Sequence, residues 1–184
     1  MEVKGPAVKS IVDFIKNNYK ERFDKWIDSL PESSKKIMKN PIYATSWYPI
    51  EDGVVAPTRK MAEMFFKNSF EAAWQSGRYS ADVGLKGVYR IFVKATKPSF
   101  IISRANNVFT SYYKPSEMII ADSSDKHVIV HITKFAKPNA IVEYRIAGWM
   151  ERALEISGCK DLKVFISQSL TKGDPITEFK IRWN

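Results

Sequence analysis

The chain has 184 residues, 45% hydrophobic and 13% aromatic, and this composition excludes a disordered or fibrous protein. The length suits one compact domain, and we expect a single domain over residues 1–184. The net charge of +9 comes from basic residues spread along the chain, which favours a solvated surface and argues against nucleic-acid binding.

Two features bear on where the protein works. No apolar run approaches the ~20 residues of a membrane-spanning helix, and residues 1–6 lack the basic start and apolar core of a signal peptide. The single cysteine, Cys159, rules out an internal disulfide and is typical of a reducing compartment. We therefore expect a cytoplasmic protein without a membrane span.

Residues 7–113 have the spacing of amphipathic helices. From Val8 to Leu30 apolar residues recur every three or four positions, which predicts one helix of about six turns. Ser29-Leu30-Pro31-Glu32 resembles a capping box, which would begin a short helix through Met38. Further helices are predicted at 58–75, ended by Gly77, at 80–94 and at 99–113.

Residues 42–57, between these helices, have no regular period. Trp47-Tyr48-Pro49 is expected to be part of a loop whose rings fold back over the core. The alternative is an exposed aromatic surface that binds a partner.

Residues 117–184 predict two strand pairs with one helix between them. The strands are expected at 118–120, 127–132, 162–169 and 176–183, and the helix at 141–157, ended by Gly158. Apolar and charged residues alternate over 177–183, which places Phe179, Ile181 and Trp183 on one face. The predicted fold class is α+β, with the N-terminal helices packed on one face of a twisted antiparallel sheet built by this ββαββ unit.

The helix at 141–157 should turn an apolar face toward the sheet, formed by Ile141, Tyr144, Ala147, Gly148, Ala153 and Ile156. Gly148 lowers helix stability by roughly 1 kcal/mol relative to alanine. Its presence therefore predicts a close approach of the sheet or of a ligand.

Neither the histidines nor the cysteine predicts a metal or catalytic site. His127 and His131 flank a β-branched run, and on a strand four residues span ~13 Å, too far for one zinc ion. Cys159 follows a helix C-terminus, where the helix dipole disfavours a thiolate. The chain contains neither a serine-nucleophile motif nor a phosphate-binding loop, so we assign no catalytic residue and expect a protein that is not an enzyme.

Short motifs from end to end of the chain resemble a bacterial family of uncharacterised proteins best known as paralogues in myxobacteria. They are Val3-Lys4-Gly5-Pro6, Leu30-Pro31-Glu32, Trp47-Tyr48-Pro49-Ile50, the stretch from Gly148 to Gly158, and Arg182-Trp183. That family is in turn remotely similar to a fold group of haem-nitric-oxide-binding (H-NOX) domains, vinyl-reductase-type domains and TRAPP subunits. The resemblance implies helices packed on one antiparallel sheet, with haem, small apolar molecules or acyl chains bound between them, or a dimerising scaffold.

The motifs of those relatives are not matched here. H-NOX domains hold haem with a helical histidine and a Tyr-x-Ser-x-Arg motif, whereas Ser103-Arg104 lacks that spacing and both histidines are predicted on a strand. The final hairpin carries Ser167, Ser169 and Thr171 where vinyl-reductase-type domains often have cysteines. The sequence therefore argues against haem and zinc and leaves any cofactor unknown.

The hypothesis that follows is a non-enzymatic domain that binds or senses a small apolar ligand in a pocket between helices and sheet. Candidate pocket residues are the inward-facing rings Trp74, Tyr89, Phe92, Tyr112 and Trp149. A structure should show a pocket that is large enough for a ligand and lined by at least two of them, and a solid core would contradict the hypothesis. The alternative is a homodimeric interaction or scaffold module without a ligand; an enzyme with dispersed catalytic residues ranks below both.

Overall fold

The computed structural model describes residues 1–85 and 98–184, and within these ranges the fold is α+β, as the sequence predicts. The helices are α1 (Gly5–Asn18), α2 (Phe23–Asp28), α3 (Glu32–Lys39), α4 (Ala56–Phe65), α5 (Glu71–Gly84), α6 (Pro98–Ile102), α7 (Ala105–Tyr112) and α8 (Ala140–Ile156). The strands are β1 (Glu2–Lys4), β2 (Trp47–Pro49), β3 (Tyr113–Lys114), β4 (Ser116–Ser123), β5 (His127–Phe135), β6 (Lys163–Gln168) and β7 (Thr177–Arg182). None of the helices in these ranges is both long enough and apolar enough to cross a bilayer.

The predicted ββαββ unit is confirmed. Its strands form one antiparallel sheet in the order β4-β5-β7-β6, and α8 connects β5 to β6. Val130 of β5 pairs with Phe179 of β7, and both side chains are buried. Phe179, Ile181 and Trp183 lie together on the inner face, because successive strand residues point to opposite sides of a sheet. Helix α7 packs along β4, and α5 packs along α8.

A second, small sheet was not predicted. Trp47-Tyr48-Pro49 forms β2, which pairs with β1, and β1 pairs on its other side with β3. The prediction of a loop is therefore wrong at this point. The ring of Trp47 is covered by the ammonium groups of Lys4 and Lys114, at 4.4 and 3.9 Å from its centroid. These cation–π contacts hold the ring at the sheet surface.

The long helix predicted from Val8 to Leu30 is interrupted at Tyr19. The backbone there leaves the helical region (φ −139°), and a 3-10 turn at Lys20–Arg22 leads into α2. The ring of Tyr19 stacks on Phe65 of α4 at 4.0 Å between centroids, a tertiary contact that the apolar spacing does not contain.

The predicted capping box before α3 is also wrong. The Ser29 hydroxyl donates to the backbone carbonyl of Trp26, and α3 begins at Glu32 without a side-chain cap.

The helix predicted at 58–75 is two helices. Lys67 and Asn68 have positive φ angles (52° and 61°), which end the first helix and redirect the chain before α5. Gly77, predicted to end a helix, lies in the middle of α5. Of the helix predicted at 80–94, residues 80–84 belong to α5 and residues 86–94 lie outside the described residues. The helix predicted at 99–113 is divided into α6 and α7.

Candidate ligand-binding site

A cavity of about 60 Å³ lies between the helices and the sheet. Helices α1, α5, α7 and α8 contribute to its wall, together with β3 and β4. The lining residues are Ala7, Ser80, Ala105, Val108, Phe109, Tyr112, Tyr113, Met118, Arg145, Ile146, Trp149 and Met150. Apart from one guanidinium, one serine and two phenols, these side chains are apolar.

A second cavity, of about 50 Å³, lies against the sheet. It is lined by α6, α7 and α8 and by the inner face of the sheet at Val128, Val130 and Ile181. Both cavities share the same four residues, Ala105, Val108, Trp149 and Met150. The two apolar cavities are therefore adjacent.

The wall of the first cavity depends on a close crossing of α5 and α8. An ideal Cβ atom on Gly77 would lie under 3.0 Å from the carbonyl oxygen of Arg145, and one on Gly148 would meet the carbonyl oxygen of Trp74 in the same way. Only glycine at both positions lets the two backbones come this close. The crossing places Ser76 of α5 directly beside the side chain of Arg145.

Arg145 is the charged group of the cavity, with 2% of its surface exposed. Its Nη2 donates to the Ala7 carbonyl oxygen at 3.0 Å and to the Ser10 hydroxyl at 2.9 Å, and its Nη1 donates to the Ser76 hydroxyl. Three helices, α1, α5 and α8, thus meet at this guanidinium, and all three acceptors are neutral.

Two tyrosines flank Arg145 on the cavity wall. Burial raises the pKa of Tyr113 from its ordinary value, although the adjacent Arg145 opposes the shift. Burial also raises the pKa of Tyr112, and the neighbouring Tyr113 adds to that shift. Both phenols therefore keep their protons at neutral pH and present O–H donors beside a cation.

The predicted pocket residues divide into three groups. Tyr112 and Trp149 line the first cavity, whose volume of about 60 Å³ is below the ~300 Å³ of ordinary ligand pockets, so the ligand-sized pocket stays a prediction. Trp74 lies away from both cavities, where its indole Nε1 donates to the Glu151 carboxylate at 2.8 Å. Tyr89 and Phe92 lie outside the described residues.

Two residues of α8 that are predicted to face the sheet do not face it. Tyr144 instead stacks on Phe70 with 4.5 Å between ring centroids, and Gly148 lies against the backbone of Trp74 in α5. Arg145 is buried, although periodicity assigns charged residues to the solvent side. The sequence gives only a weak indication that Arg145 is buried. The three residues that follow it, Ile146, Ala147 and Gly148, are apolar or small, which is unusual for an exposed helix face.

The two histidines lie on β5, as predicted, and on the face of the sheet away from the cavities. The ring Nε2 of His131 is 2.7 Å from the Glu178 carboxylate, and that of His127 is 2.8 Å from the Asp122 carboxylate. Cys159 is buried, and burial raises the pKa of its thiol above the ordinary value. Within residues 1–85 and 98–184, no group of three or more His, Cys, Asp or Glu side chains could hold a metal ion.

Comparison with solved structures identifies the fold. An Fe(II) unliganded H-NOX protein from K. algicida matches with a TM-score of 0.70 at 11% identity, covering 98% of this chain and 96% of that one. An H-NOX protein from S. oneidensis in the Fe(II) ligation state matches with a TM-score of 0.72 at 9% identity, with the same coverage. The chain has the H-NOX fold. A structure solved to probe haem distortion in the H-NOX family also matches, with a TM-score of 0.68 at 13% identity and coverage of 98% and 95%.

No family model matches the sequence, and no curated protein matches it either. At 9–15% identity the likeness to H-NOX structures establishes the fold. It confirms the expected resemblance to the haem-nitric-oxide-binding fold group at that level.

The sequence-based argument against haem is wrong, because chains that share the H-NOX fold over almost their whole length are Fe(II) and haem proteins. That argument relied on the absence of one helical histidine and one motif. Haem iron is also held by methionine, tyrosine or cysteine in proteins, so a missing histidine does not decide the question.

Proposed function

We propose that the chain is a sensory domain that binds a small apolar molecule between its helices and its main sheet and catalyses no reaction. The observation that carries the proposal is the pair of adjacent apolar cavities inside an H-NOX fold. Ligand sites are commonly concave, mostly apolar and supplied with a few polar groups, and Arg145, Tyr112 and Tyr113 are such groups here.

Haem is one candidate ligand, because solved chains with this fold are haem proteins. The cavity is lined by side chains of the chemical types that bind haem. Met118, Met150 and Tyr112 carry thioether and phenol groups of the types that ligate haem iron, and Arg145 supplies a cation for carboxylate substituents. When bound, haem supplies an iron centre able to take up a diatomic gas.

The two cavities are too small for an ordinary ligand, so ligand entry requires a change in conformation. Ligand pockets usually enclose at least ~300 Å³. The two spaces measure about 60 and 50 Å³. A ligand larger than a few atoms must therefore displace side chains that line them. Met150 is suited to this movement, because methionine is unbranched and adapts its shape easily.

The test is a titration of the purified protein with hemin, followed by absorbance, and with the neutral fluorophore Nile red, followed by emission. Val108 lines both cavities, so Val108→Trp should fill the shared space and weaken binding of both probes at least about tenfold. Thr110→Trp adds the same ring to an exposed position of α7 and should leave binding unchanged. The absence of binding by both probes, or equal binding by the two variants, would contradict the proposal.

A homodimer is the second candidate, favoured by exposed apolar residues on the outer face of the sheet. Phe165 of β6 is 56% exposed and Ile119 of β4 is 44% exposed. The two residues lie on the two edge strands of the sheet, and exposed apolar edge strands favour pairing with another chain. Sedimentation equilibrium separates the candidates: a dimer that Phe165→Lys dissociates supports this one, and a monomeric wild-type protein contradicts it.

A further inference from the structure

Arg145 is a buried cation whose known partners carry no negative charge. Its hydrogen bonds go to a backbone carbonyl and two serine hydroxyls. None of the ion pairs within residues 1–85 and 98–184 involves Arg145. The sequence of residues 86–97, Lys-Gly-Val-Tyr-Arg-Ile-Phe-Val-Lys-Ala-Thr-Lys, contains no aspartate or glutamate. No carboxylate side chain of residues 1–85 and 98–184 therefore pairs with this guanidinium.

The nearest acidic residue in sequence does not supply the charge. Glu143 is two positions away on α8, which places it roughly 200° around the helix from Arg145. It is buried on the other side, where its carboxylate accepts from the hydroxyls of Ser169, Thr171 and Thr177. Helix α8 thus carries a buried anion and a buried cation that face different surroundings.

An unpaired buried charge is unfavourable, because transfer out of water costs several kcal/mol. Burial lowers the pKa of Arg145 from its ordinary value, while the adjacent Tyr113 and Tyr112 oppose the shift. Arginine nevertheless stays protonated in proteins, so the charge persists. Three hydrogen bonds with neutral acceptors use only part of a guanidinium, which has five N–H donors.

Arg145 lines the same apolar cavity as Tyr112 and Tyr113. A cation and two protonated phenols form one polar patch, and the remaining wall is apolar. This combination is complementary to a molecule with an apolar body and one acidic end, since charge-assisted hydrogen bonds from a guanidinium favour carboxylates.

We infer that Arg145 anchors the carboxylate of an apolar ligand, with Tyr112 and Tyr113 as additional donors. The inference rests on the proposed function, because it names the chemical class of the ligand for the same cavity. Fatty acids and carboxylated tetrapyrroles share this chemistry. A neutral molecule of the same shape leaves the guanidinium without an anion and binds more weakly.

The experiment compares matched acidic and neutral probes by calorimetric titration. Dodecanoate is paired with 1-dodecanol, and hemin with hemin dimethyl ester, so that the two pairs distinguish a fatty acid from a tetrapyrrole. In the wild-type protein the acidic member of one pair should bind at least about tenfold more tightly than its neutral partner.

Variants assign that preference to one side chain. Arg145→Met should remove the preference while keeping the binding of the neutral probe, and Arg145→Lys should retain part of it. Arg152→Met is the matched control on α8, because Arg152 is partly exposed and already paired with Asp82 and Glu155. It should leave the preference unchanged.

The outcomes separate the inference from the proposed function. Equal binding of acidic and neutral probes to the wild-type protein overturns the anion site and leaves the apolar pocket in place. Binding of neither member of either pair overturns both. If Arg145→Met still prefers the acidic probe, another residue binds the anion and the inference is overturned. Should Arg145→Met fail to fold, the wild-type comparison and Arg145→Lys still decide the question.

Discussion

Gly77 in the middle of α5 lies directly against the backbone carbonyl of Arg145 in α8, with no room for a side chain between them. The obstacle is backbone, which cannot rotate away as a flexible side chain could. The contact therefore fixes the distance between two helices that both form the cavity wall.

We predict that Gly77→Ala destabilises the protein by at least about 2 kcal/mol, because its methyl group must force α5 and α8 apart. Gly84→Ala is the matched control in the same helix. An added Cβ there would lie 3.5 Å from the Tyr112 hydroxyl, an ordinary contact distance. It should be neutral or stabilising by up to about 1 kcal/mol. Urea denaturation of both variants measures the difference in stability, and equal midpoints would contradict the steric role assigned to Gly77.

The buried carboxylate of Glu143 connects α8 to the turn between β6 and β7. It accepts from Ser169 Oγ at 2.6 Å and Thr171 Oγ1 at 3.1 Å, and also from the hydroxyl of Thr177. Glu143→Gln replaces one acceptor oxygen with an NH₂ donor and should lower the free energy of unfolding by about 1–3 kcal/mol. Glu21→Gln, at an exposed position, should have no measurable effect in the same denaturation experiment.

Glu178 should make stability depend on pH in the acidic range. The Ser167 hydroxyl donates to its carboxylate, and with contributions from His131 and Lys180 this lowers the pKa of Glu178 from 4.5 to about 2. Because the folded-state pKa is depressed, the ionised group stabilises the fold above pH 4.5, and this contribution is lost as the pH falls toward 2. Glu178→Gln should reduce the loss of stability over that interval, as followed by urea midpoints. Glu117→Gln, an exposed change in β4, should leave the wild-type pH profile intact.

Trp149 lines both cavities, so its removal should join them into one larger space. We predict that Trp149→Ala increases the association rate of hemin several-fold while lowering the melting temperature, because a large side chain no longer has to move aside. Stopped-flow absorbance measures the rate. Trp47→Ala removes a ring of the same size from the small sheet and should leave the rate unchanged. A rate that responds equally to both changes would contradict the role assigned to Trp149.

The main sheet could be predicted because its signal is local. Phe179, Ile181 and Trp183 alternate with charged residues, and one face of a sheet reproduces that period directly. The predicted helix boundaries are wrong where a tertiary contact overrides the periodic spacing of apolar residues. Tyr19 leaves its helix to stack on Phe65, and Lys67 and Asn68 turn the chain with positive φ angles that their residue types do not require.

The candidate site was only partly visible in the sequence. Tyr112 and Trp149, which were expected to point inward, line the first cavity, whereas Gly148, expected to approach the sheet or a ligand, approaches α5 instead. Arg145 was missed because a buried and an exposed arginine have the same place in a helical period. Its burial follows from α1 and α5 converging on α8, which the spacing within α8 does not encode.

The junction of α7 with β3 connects the cavity wall directly to the small sheet. Tyr112 is the last residue of α7 and lines the cavity, and Tyr113, the next residue, begins β3. Tyr113 pairs with Val3 of β1, which in turn pairs with Tyr48 of β2. Any guest that pushes the end of α7 outward must also pull on β3, since no linker residue separates them. A ligand that displaced the end of α7 would therefore also move the small sheet beneath Trp47.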